Sequence, residues 1–592
     1  MGRLCLLAIA WVLLAGANAD VHAQTALPQK IATAGPASAM SAESDAAAVS
    51  PEDVKPEDRQ DGGGEPSAAP QAPAAAPQAP DSAHRAPAVA PSPPSDAAAA
   101  PAVPVADPTT PFGVALKARL QVIPDTGSDE EKNERAALIA FYGARGYQPL
   151  WTDDKGFVAD ANAIADVFGA AAEWGLDPVD FVAPKLDASE AGAGHLSPEA
   201  EAGAEVELSL AVLKYARFAR GGRIMNPAGD LNSNLDRKPQ LIAPDKVLDG
   251  LAAASDKGAY LTGTHPQHPQ FKRLKEKYAE ALAKGNGKPN ALAKKLQTNM
   301  EMWRWMHDDL GEMYLMANVP SYMIEIVKDG QTIHTERIVV GEIGKQTSIF
   351  TRSLKNIVLN PMWRVPESIK VNELWPSLLR GGGLMRQYGL EVETKDGRRL
   401  DWRTMDWRNL DIRNYEVVQP AGRKSVMGYV KFSFPSQHTI FMHDTPDKWM
   451  FNSKQRTLSH GCLRLRNPLR VAEIVLAHDK GWDPGKVQDL AKTGPMNNEI
   501  VMEKRIRMHL AYFTAWVDDG GALKTYSDIY GHEKRVTQAL EGKWDKISKG
   551  RDHLAPVEPN RTHLADKPQQ RPARVSQSAS DDFFSGFFGS GF

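Results

Sequence analysis

The sequence predicts an α+β protein of several domains, in which a mostly helical scaffold domain precedes a mixed, mainly β domain with a sandwich-like core. Three observations support this prediction. The middle of the 592-residue chain is long enough and apolar enough for two or three domains. Apolar residues with helical spacing dominate residues 111–295, and alternating apolar residues between turn signals dominate residues 296–545.

The chain begins with "MGRLCLLAIAWVLLAGANADVHAQ", which has a basic start, a short apolar run and small residues suited to cleavage. These features are typical of an export signal over residues 1–23. Because the apolar run is shorter than the roughly 20 residues that span a membrane, an uncleaved anchor is the second choice. Residues 24–110 are rich in Ala and Pro and poor in large apolar side chains, which predicts a disordered linker.

Residues 111–295 carry the start and stop signals of helices. The stretch "SDEEKNERAALIAFYGARG" opens with a capping box formed by Ser128 and Glu131 and ends at a glycine. A second helix is predicted after Ser197, which is a suitable cap, and it ends at Gly221-Gly222. No polar cluster in this region has the spacing of a catalytic site, so a scaffold is the default interpretation.

Residues 296–545 form the predicted β domain. Alternation in "YMIEIVKDG" predicts a strand, and Asp329-Gly330 is a strong hairpin turn signal. The runs "NIVLNPMWRVP" and "VKFSFPSQHTIFMHDTP" predict further strands. Asn467 and Pro468 then predict the start of a helix, with Asn467 as its cap. Residues 371–426 lack clean periodicity, which predicts an insertion that covers a site.

Residues 546–592 are polar and contain prolines, which predicts a disordered tail. The tail ends in "DDFFSGFFGSGF", in which Gly and Ser separate the phenylalanines and oppose a stable helix. This end is either a docking peptide or an apolar tail with no partner.

Composition excludes some classes of function. The net charge is −3 and no long basic stripe occurs, so nucleic acid is not an expected partner. No HExxH or CxxC pattern occurs, so neither a metal nor a cofactor is expected. Of the two cysteines, cleavage of the export signal removes Cys5 and leaves Cys462 alone in an oxidising compartment, where structural cysteines usually pair.

Cys462 is the candidate nucleophile. A thiol attacks acyl groups as the thiolate, and a neighbouring histidine is expected to take its proton and hold the pair as thiolate–imidazolium. Strict alternation in "HTIFMH" places His438 and His443 on opposite faces of a strand, with His443 at its end. Both His443 and His460 are candidates for the base: His443 ends its strand, from where it can face a neighbouring strand end, and His460 is the competitor, which instead could brace the loop. The alternative is that Cys462 is a buried small hydrophobe.

Four neighbours of the thiol are predicted to support it. Gly461 lets a substrate approach the backbone, and the N–H groups of Gly461 and Cys462 are candidates for an oxyanion hole. Arg464 is on the same side of a strand as Cys462 and is expected to hold a substrate carboxylate or a charged intermediate, unless it is simply an exposed arginine. Ser459 and His460 are expected to hydrogen-bond the loop.

This constellation resembles a known family. His443, fifteen intervening residues, the SHGC motif at 459–462 and the Leu463-Arg464 that follows it resemble the signature of the YkuD-type L,D-transpeptidase catalytic domain. The stretches "NMEMWRWMHDDLGEMYLMANVPSYMIEIVKDG", "VVGEIGKQTSIF", "VLNPMWRVPESI" and "YFTAWVDDGG" resemble the large periplasmic, murein-cross-linking branch of that family, and "GLDPVDF" and "YARFARGGRI" resemble its scaffold domain.

The resemblance implies a reaction. Cys462 attacks the carbonyl of the third residue of a peptidoglycan stem tetrapeptide, releases D-alanine and forms a thioester. A diaminopimelate amine of a neighbouring stem then makes a 3-3 cross-link. His443 is the base, Ser459, His460 and Gly461 support the loop, and the third triad member is commonly a backbone carbonyl.

The resemblance also implies partners and a location. Peptidoglycan stem peptides are the expected partners, carbapenems are expected covalent inhibitors, and the periplasm of a Gram-negative bacterium is the expected compartment. Three alternatives remain open: a protein amine as acceptor, which would tether outer-membrane proteins; water as acceptor, which would make a carboxypeptidase; and a non-catalytic wall scaffold. The branch's small peptidoglycan-binding module is missing, because the sequence runs almost directly from scaffold to catalytic region.

Overall fold

The computed structural model describes residues 107–122, 126–153, 155–185, 196–422 and 424–556. The predicted export signal, almost all of the predicted linker and the Phe-rich end of the tail lie outside the described residues. Within the described ranges, no helix is both long enough and apolar enough to cross a membrane. The domain limits given above stay predictions.

The first part of the described chain is helical. Its helices are α1 (Pro111–Gln121), α2 (Asp129–Ala144), α3 (Ala159–Gly169), α4 (Pro198–Gly221), α5 (Pro227–Asp230), α6 (Pro244–Ala253), α7 (Lys257–Thr262), α8 (Pro269–Lys284) and α9 (Ala291–Arg304), and the short strands β1 (Thr152–Asp153) and β2 (Gly156–Phe157) form a hairpin. The predicted capping box is confirmed: Ser128 and Glu131 each accept a hydrogen bond from the other's backbone N–H. The predicted start and end of α4 are also confirmed, with Ser197 as its cap and Gly222 after its last residue.

Helix α4 is the centre of the helical part, and one buried carboxylate on it organises the chain around it. Glu205 is 0% exposed and accepts hydrogen bonds from the hydroxyl groups of Tyr142 and Thr152 at 2.7 and 2.9 Å and from the Trp151 N–H at 3.0 Å. Burying a carboxylate is costly unless donors satisfy it. Glu205 therefore fixes the end of α2 and the β1 hairpin on α4.

The β part begins after α9. Its first strands are β3 (Met313–Asn318), β4 (Met323–Lys328), β5 (Gln331–Gly341), β6 (Thr351–Ser353) and β7 (Asn356–Leu359). The predicted hairpin between β4 and β5 is confirmed: Asp329 and Gly330 have φ of +52° and +74°, the left-handed conformations that a tight hairpin turn requires.

A small subdomain follows, which we call the cap (residues 363–427). It contains β8 (Trp363–Arg364), α10 (Glu367–Ile369), a π-helical turn (Lys370–Leu374), α11 (Trp375–Leu379), α12 (Gly383–Gln387), β9 (Glu391–Glu393), β10 (Arg399–Leu400) and β11 (Glu416–Gln419). The four strands form an antiparallel sheet in the order β10-β9-β11-β8. The cap has an apolar core of its own, which includes Trp363, Leu374, Val392 and Val417.

The remaining elements complete the β domain. They are β12 (Val430–Ser433), β13 (Met442–His443), β14 (Thr457–Ser459), β15 (Leu463–Leu465), α13 (Pro468–Lys480), α14 (Pro484–Thr493), β16 (Asn498–Val501), β17 (Arg507–Ala511), β18 (Ala515–Val517), β19 (Leu523–Thr525) and α15 (His532–Leu540). One sheet of eleven strands runs β16-β7-β12-β13-β15-β5-β4-β3-β17-β6, with β14 beside β5. The predicted fold class is confirmed, since helices precede a curled, mainly β domain.

Three expectations differ from the structure. The stretch "HTIFMH" is not one strand: β13 begins at Met442, and Thr439 has φ of +53°, so alternation does not extend back to His438. Asn467 precedes α13, but its side chain makes no capping bond, and its amide nitrogen donates to Glu336. Residues 546–556, expected to belong to the disordered tail, lie against the scaffold, where Asn232 donates to the Lys549 carbonyl at 2.6 Å.

Candidate active site

Two neighbouring strands bring the predicted nucleophile and base together. Strands β13 and β15 pair in parallel, with His443 opposite Arg464 and Met442 opposite Leu463. Cys462 comes directly before β15, and side chains alternate along a strand. His443 and Cys462 therefore face the same side of the sheet, and both line one small cavity of about 60 Å³.

The orientation of His443 is fixed by the backbone beside it. Its Nδ1 atom lies 2.5 Å from the carbonyl oxygen of Asp444. Since a carbonyl only accepts, Nδ1 carries the proton and donates it, and Nε2 is left as the basic nitrogen. The Asp444 carbonyl is therefore the candidate for the backbone carbonyl that the family resemblance implies as third triad member. The Asp444 carboxylate is engaged elsewhere, since it accepts from the N–H of Tyr429 and pairs with Lys448.

The Cys462 sulfur is half-buried among groups that partly offset each other. Burial raises the pKa of the Cys462 thiol to about 11, while a hydrogen bond from the Phe441 N–H and the charges of Lys431 and Arg464 lower it. The carbonyl oxygen of Thr439 lies 4.0 Å from the sulfur. The hydrogen-bond donor and the two positive charges therefore favour the thiolate, while burial of the sulfur favours the neutral thiol.

The histidine is also neutral at rest. Burial, together with the charge of Arg464, lowers the pKa of His443 to about 3. With the pKa of the Cys462 thiol raised, the resting pair is a neutral thiol and a neutral imidazole at neutral pH. The sequence predicted a thiolate–imidazolium pair, and the lowered pKa of His443 and the raised pKa of Cys462 do not favour that ion pair in the resting protein. A neutral resting pair leaves His443 able to accept the thiol proton.

Ser459 and a threonine from another loop hold the motif in place. The Ser459 hydroxyl donates to the Cys462 carbonyl at 2.6 Å and accepts the Gly461 N–H at 3.2 Å. Thr347 donates to the Gly461 carbonyl at 2.7 Å. Gly461 has φ of +111°, and a Cβ there would lie 3.3 Å from the Gln346 carbonyl oxygen. Glycine is thus required by the backbone conformation as well as by the close approach of a second loop.

One of the predicted oxyanion donors is engaged. Because the Gly461 N–H donates to the Ser459 hydroxyl, it does not point freely at the site of attack. Gly461 as an oxyanion donor stays a prediction, and it requires this N–H to turn away from the Ser459 hydroxyl. The Cys462 N–H as an oxyanion donor stays a prediction.

His460 joins the motif to the cap, and its role as a competing base stays a prediction. Its Nε2 atom lies 2.8 Å from Glu373 Oε1, and Lys345 contacts both side chains. Glu373 belongs to the π-helical turn of the cap. The three side chains therefore fasten the cap, the loop after β5 and the SHGC motif to one another, beside the cavity that contains Cys462.

Arg464 lies below the site. Its side chain is 1% exposed, its guanidinium lies 3.6 Å from Asp447 Oδ2, and it contacts the sulfur of Met450. Burial lowers the pKa of Arg464 to about 10. Arg464 is not among the residues that line the cavity, and its expected contact with a substrate carboxylate stays a prediction. Its charge acts through the protein on His443 and Cys462.

Sequence reasoning missed Lys431. This residue is on β12 directly opposite His443, and its ammonium group lies 4.7 Å from the centre of the Phe441 ring. Alternation along "VKFSF" places Lys431 on the face opposite the buried Val430 and Phe432, which was a usable signal. The pairing of β12 with β13, which brings the charge to the thiol, has no local signal in the sequence.

Two other observations bear on the choice of site. Among the residues that the structure describes, no group of three or more His, Cys, Asp or Glu side chains could hold a metal ion. A larger cleft of about 550 Å³, lined by Trp303, Tyr314, Glu325 and Trp516 among others, contains none of the predicted site residues. The small cavity around Cys462 is therefore the candidate active site on chemical grounds.

Comparison with known proteins agrees with this location. Residues 136–277 match the model of a scaffold domain, and residues 312–490 match the model of the L,D-transpeptidase catalytic domain, the YkuD family. A relative from Haemophilus influenzae, described as a putative L,D-transpeptidase, is 25% identical over 429 residues, which cover 71% of this chain and 83% of that protein.

A solved structure of an L,D-transpeptidase from Mycobacterium smegmatis also matches, with 13% identity and a TM-score of 0.15. The match covers 33% of this chain and 59% of that one, so this chain spans less than two thirds of that structure. Because the TM-score is this low, no argument about the fold or function of this chain is drawn from that structure.

Proposed function

This chain carries a scaffold domain followed by an L,D-transpeptidase catalytic domain of the YkuD family, and we propose from that premise that it cross-links peptidoglycan through a Cys462 thioester. The observation that carries the proposal is the shared cavity of Cys462 and His443, with Nδ1 of His443 held by the Asp444 carbonyl. This arrangement leaves Nε2 free to accept a proton, as a base for a thiol must be.

In the proposed acylation, Cys462 Sγ bonds to the carbonyl carbon of the third residue of a stem tetrapeptide, while the thiol proton passes to His443 Nε2. The bond to the terminal D-alanine then breaks, and the same proton leaves with the D-alanine amine. In the second half, a diaminopimelate amine attacks the thioester, gives its proton to His443 and restores the thiol. The product is a 3-3 cross-link, and the atoms balance without a cofactor.

The test is the release of D-alanine from purified tetrapeptide muropeptides. We expect the full chain to release D-alanine and to form peptide dimers, and Cys462→Ala to do neither. Cys5→Ala is the matched control, since Cys5 is the other cysteine of the chain. An active Cys462→Ala protein would refute the proposal.

The products also distinguish the acceptors. Mass spectrometry that finds free tripeptides without dimers would indicate water as the acceptor, and stem peptides joined to a protein amine would indicate tethering of outer-membrane proteins. A third outcome is no product together with a Cys462 thiol that is alkylated slowly in the folded protein but quickly after denaturation. That outcome would indicate a non-catalytic wall scaffold. Carbapenem treatment followed by peptide mapping is expected to place a covalent adduct on Cys462.

We also propose that the chain acts in the periplasm of a Gram-negative bacterium. The export signal predicted at residues 1–23 supports this location, as does a substrate that lies outside the inner membrane. The described chain joins α8 to α9 by residues 285–290 alone. No binding module is inserted at that point. We therefore propose that the scaffold or the catalytic cleft makes the contact with the wall.

A further inference from the structure

A histidine near the C-terminal end of the described chain lies beside the active site. His553 belongs to residues 548–556, which follow the catalytic domain and return to the scaffold. Lys549 donates from its ammonium group to the Gly229 carbonyl at 2.7 Å, and the His553 N–H donates to Ser233 at 3.2 Å. The segment is thus held by the connection between α5 and α6.

His553 is hydrogen-bonded to His438, whose side chain is 0% exposed. The two facing nitrogens, Nε2 of His553 and Nδ1 of His438, lie 2.7 Å apart, and the ring planes differ by 18°. On its far side, His438 Nε2 lies 2.8 Å from Asp236 Oδ2. Since a carboxylate only accepts, His438 donates to Asp236, and its other nitrogen accepts from His553.

The row of polar groups continues beyond His553. Its Nδ1 atom lies 2.8 Å from the hydroxyl oxygen of Ser233, and Ser348 lies 3.2 Å from its Nε2 atom. The His438 ring also packs on Phe350, with ring centres 4.9 Å apart. Three distant parts of the chain, the scaffold connection, the β domain and the C-terminal segment, therefore meet at one buried imidazole.

His438 lies in the loop that shapes the environment of the nucleophile. This loop, residues 434–441, joins β12 to β13. Its Thr439 carbonyl lies 4.0 Å from Cys462 Sγ, and its Phe441 N–H hydrogen-bonds the same sulfur. Thr439 has φ of +53°, which is strained for a β-branched residue and persists only where the surroundings enforce it. The hydrogen bonds of His438, the residue before Thr439, hold the backbone in this conformation.

The same segment borders a groove that continues from the catalytic cavity. The groove has a volume of about 620 Å³, and residues 553–556 form one side of it while residues 433–441 form another. Pro366, Ser368 and the loop residues 438–441 line both the groove and the cavity around Cys462. A peptide that reaches the thiol along this groove would pass the C-terminal segment.

We propose that His553 is a positioning residue for the Cys462 site, acting through His438 on the 434–441 loop, and that residues 553–556 border the groove by which a stem peptide reaches the thiol. The positional part rests on the hydrogen-bonded row alone. The part that names the stem peptide rests on the proposed function.

The test uses the full chain with His553→Ala, His553→Gln and Asp236→Asn. Arg551→Ala is the matched control, because Arg551 is an exposed neighbour that does not line the groove. Two quantities are measured for each protein: the rate at which iodoacetamide labels the Cys462 peptide, and kcat and KM for D-alanine release. The thermal midpoint is recorded alongside.

We expect His553→Ala to lower kcat about tenfold, because a displacement of the loop misplaces the reacting groups, and to speed labelling about threefold, because the thiol becomes more exposed. Asp236→Asn should act in the same direction. His553→Gln should recover part of both effects, since an amide N–H can reach His438. Arg551→Ala should match wild type.

The inference would be overturned if His553→Ala and Asp236→Asn both had the labelling rate and the kcat of the Arg551→Ala control. This would hold even if their thermal midpoints were lower. If His553→Ala does not fold, Asp236→Asn decides alone. If wild type releases no D-alanine, the proposed function fails, and the labelling rates still decide whether His553 positions the thiol.

Discussion

Nδ1 of His443 donates to the backbone carbonyl of the very next residue, Asp444, across 2.5 Å. A backbone carbonyl does not titrate and is not removed by a side-chain substitution. The backbone at Asp444 therefore keeps the proton of neutral His443 on Nδ1. Burial keeps this imidazole neutral by lowering its pKa to about 3, and burial also raises the pKa of the Cys462 thiol to about 11.

The first prediction concerns the pH dependence of the thiol. Only the thiolate is alkylated, and the raised pKa of Cys462 means that its thiolate fraction is small at neutral pH. We expect iodoacetamide labelling of Cys462 to rise about tenfold per unit from about pH 7 to about pH 10. Mass spectrometry of the Cys462 peptide measures the rate. A plateau below about pH 8 would indicate a preformed thiolate–imidazolium pair instead.

The second prediction concerns the base. Without an imidazole at position 443 nothing accepts the thiol proton during attack, so His443→Ala should slow D-alanine release about 10²- to 10⁴-fold. Release is measured under single-turnover conditions, which report acylation. His334→Ala, a partly exposed histidine on β5, is the control and should leave the rate unchanged. Equal rates in the two variants would assign the base elsewhere, with His460 as the next candidate.

The third prediction concerns the brace of the motif. Ser459→Ala leaves the Cys462 carbonyl and the Gly461 N–H without the hydroxyl that joins them. We expect a loss of about 1–3 kcal/mol in the free energy of unfolding, with a larger fall in activity, because the lost bonds adjoin the nucleophile. Urea unfolding and D-alanine release measure the two effects. Ser527→Ala, at an exposed serine, should change neither.

The fourth prediction concerns glycine at position 461. Gly461→Ala places a Cβ on a residue with φ of +111° and 3.3 Å from the Gln346 carbonyl oxygen. The strain should cost about 1–3 kcal/mol of unfolding free energy. Gly344→Ala is the control in the neighbouring loop, since a Cβ there meets nothing within 4 Å. Similar melting temperatures for the two variants would show that the loop relaxes around the new methyl group.

The fifth prediction concerns Asp447, the partner of Arg464. Burial raises the pKa of Asp447 to about 6, although Arg464 opposes the rise. A raised folded-state pKa contributes stability that is fully present below the unfolded value near 3.9 and is lost as pH rises through about 6. We expect the urea midpoint of wild type to fall across that interval, and Asp447→Asn to flatten the fall. Asp545→Asn, at an exposed aspartate, should keep the wild-type slope.

Local signals predicted those features that depend on neighbours in sequence. The capping box at Ser128, the turn at Asp329-Gly330 and the start of α13 at Pro468 each follow from residues within one turn of each other. The identity of Cys462 and His443 as candidates followed from their chemistry and their family likeness. The structure places both in one cavity, while their catalytic roles stay a prediction.

Other features had no local signal because distant segments create them. The contact of Glu373 with His460 joins residues 87 positions apart in the chain, and the pairing of Lys431 with His443 depends on the register of two strands across a loop. The cap was not resolved into elements because its strands and helices have only two to five residues, too few for a period to be seen. Residues 546–556 looked polar and unstructured because their partners lie in the scaffold connection more than 300 positions earlier, as the separation of 320 between Ser233 and His553 illustrates.

The parallel pairing of β13 with β15 has a consequence for recognising distant relatives. Adjacent strands stand roughly 4.8 Å apart whatever the chain does between them. The interval of fifteen residues between His443 and Ser459 thus reflects the size of one excursion from the sheet, not a demand of the chemistry. A motif search that insists on this count would overlook chains with a longer or shorter excursion and the same two side chains facing each other across the ladder.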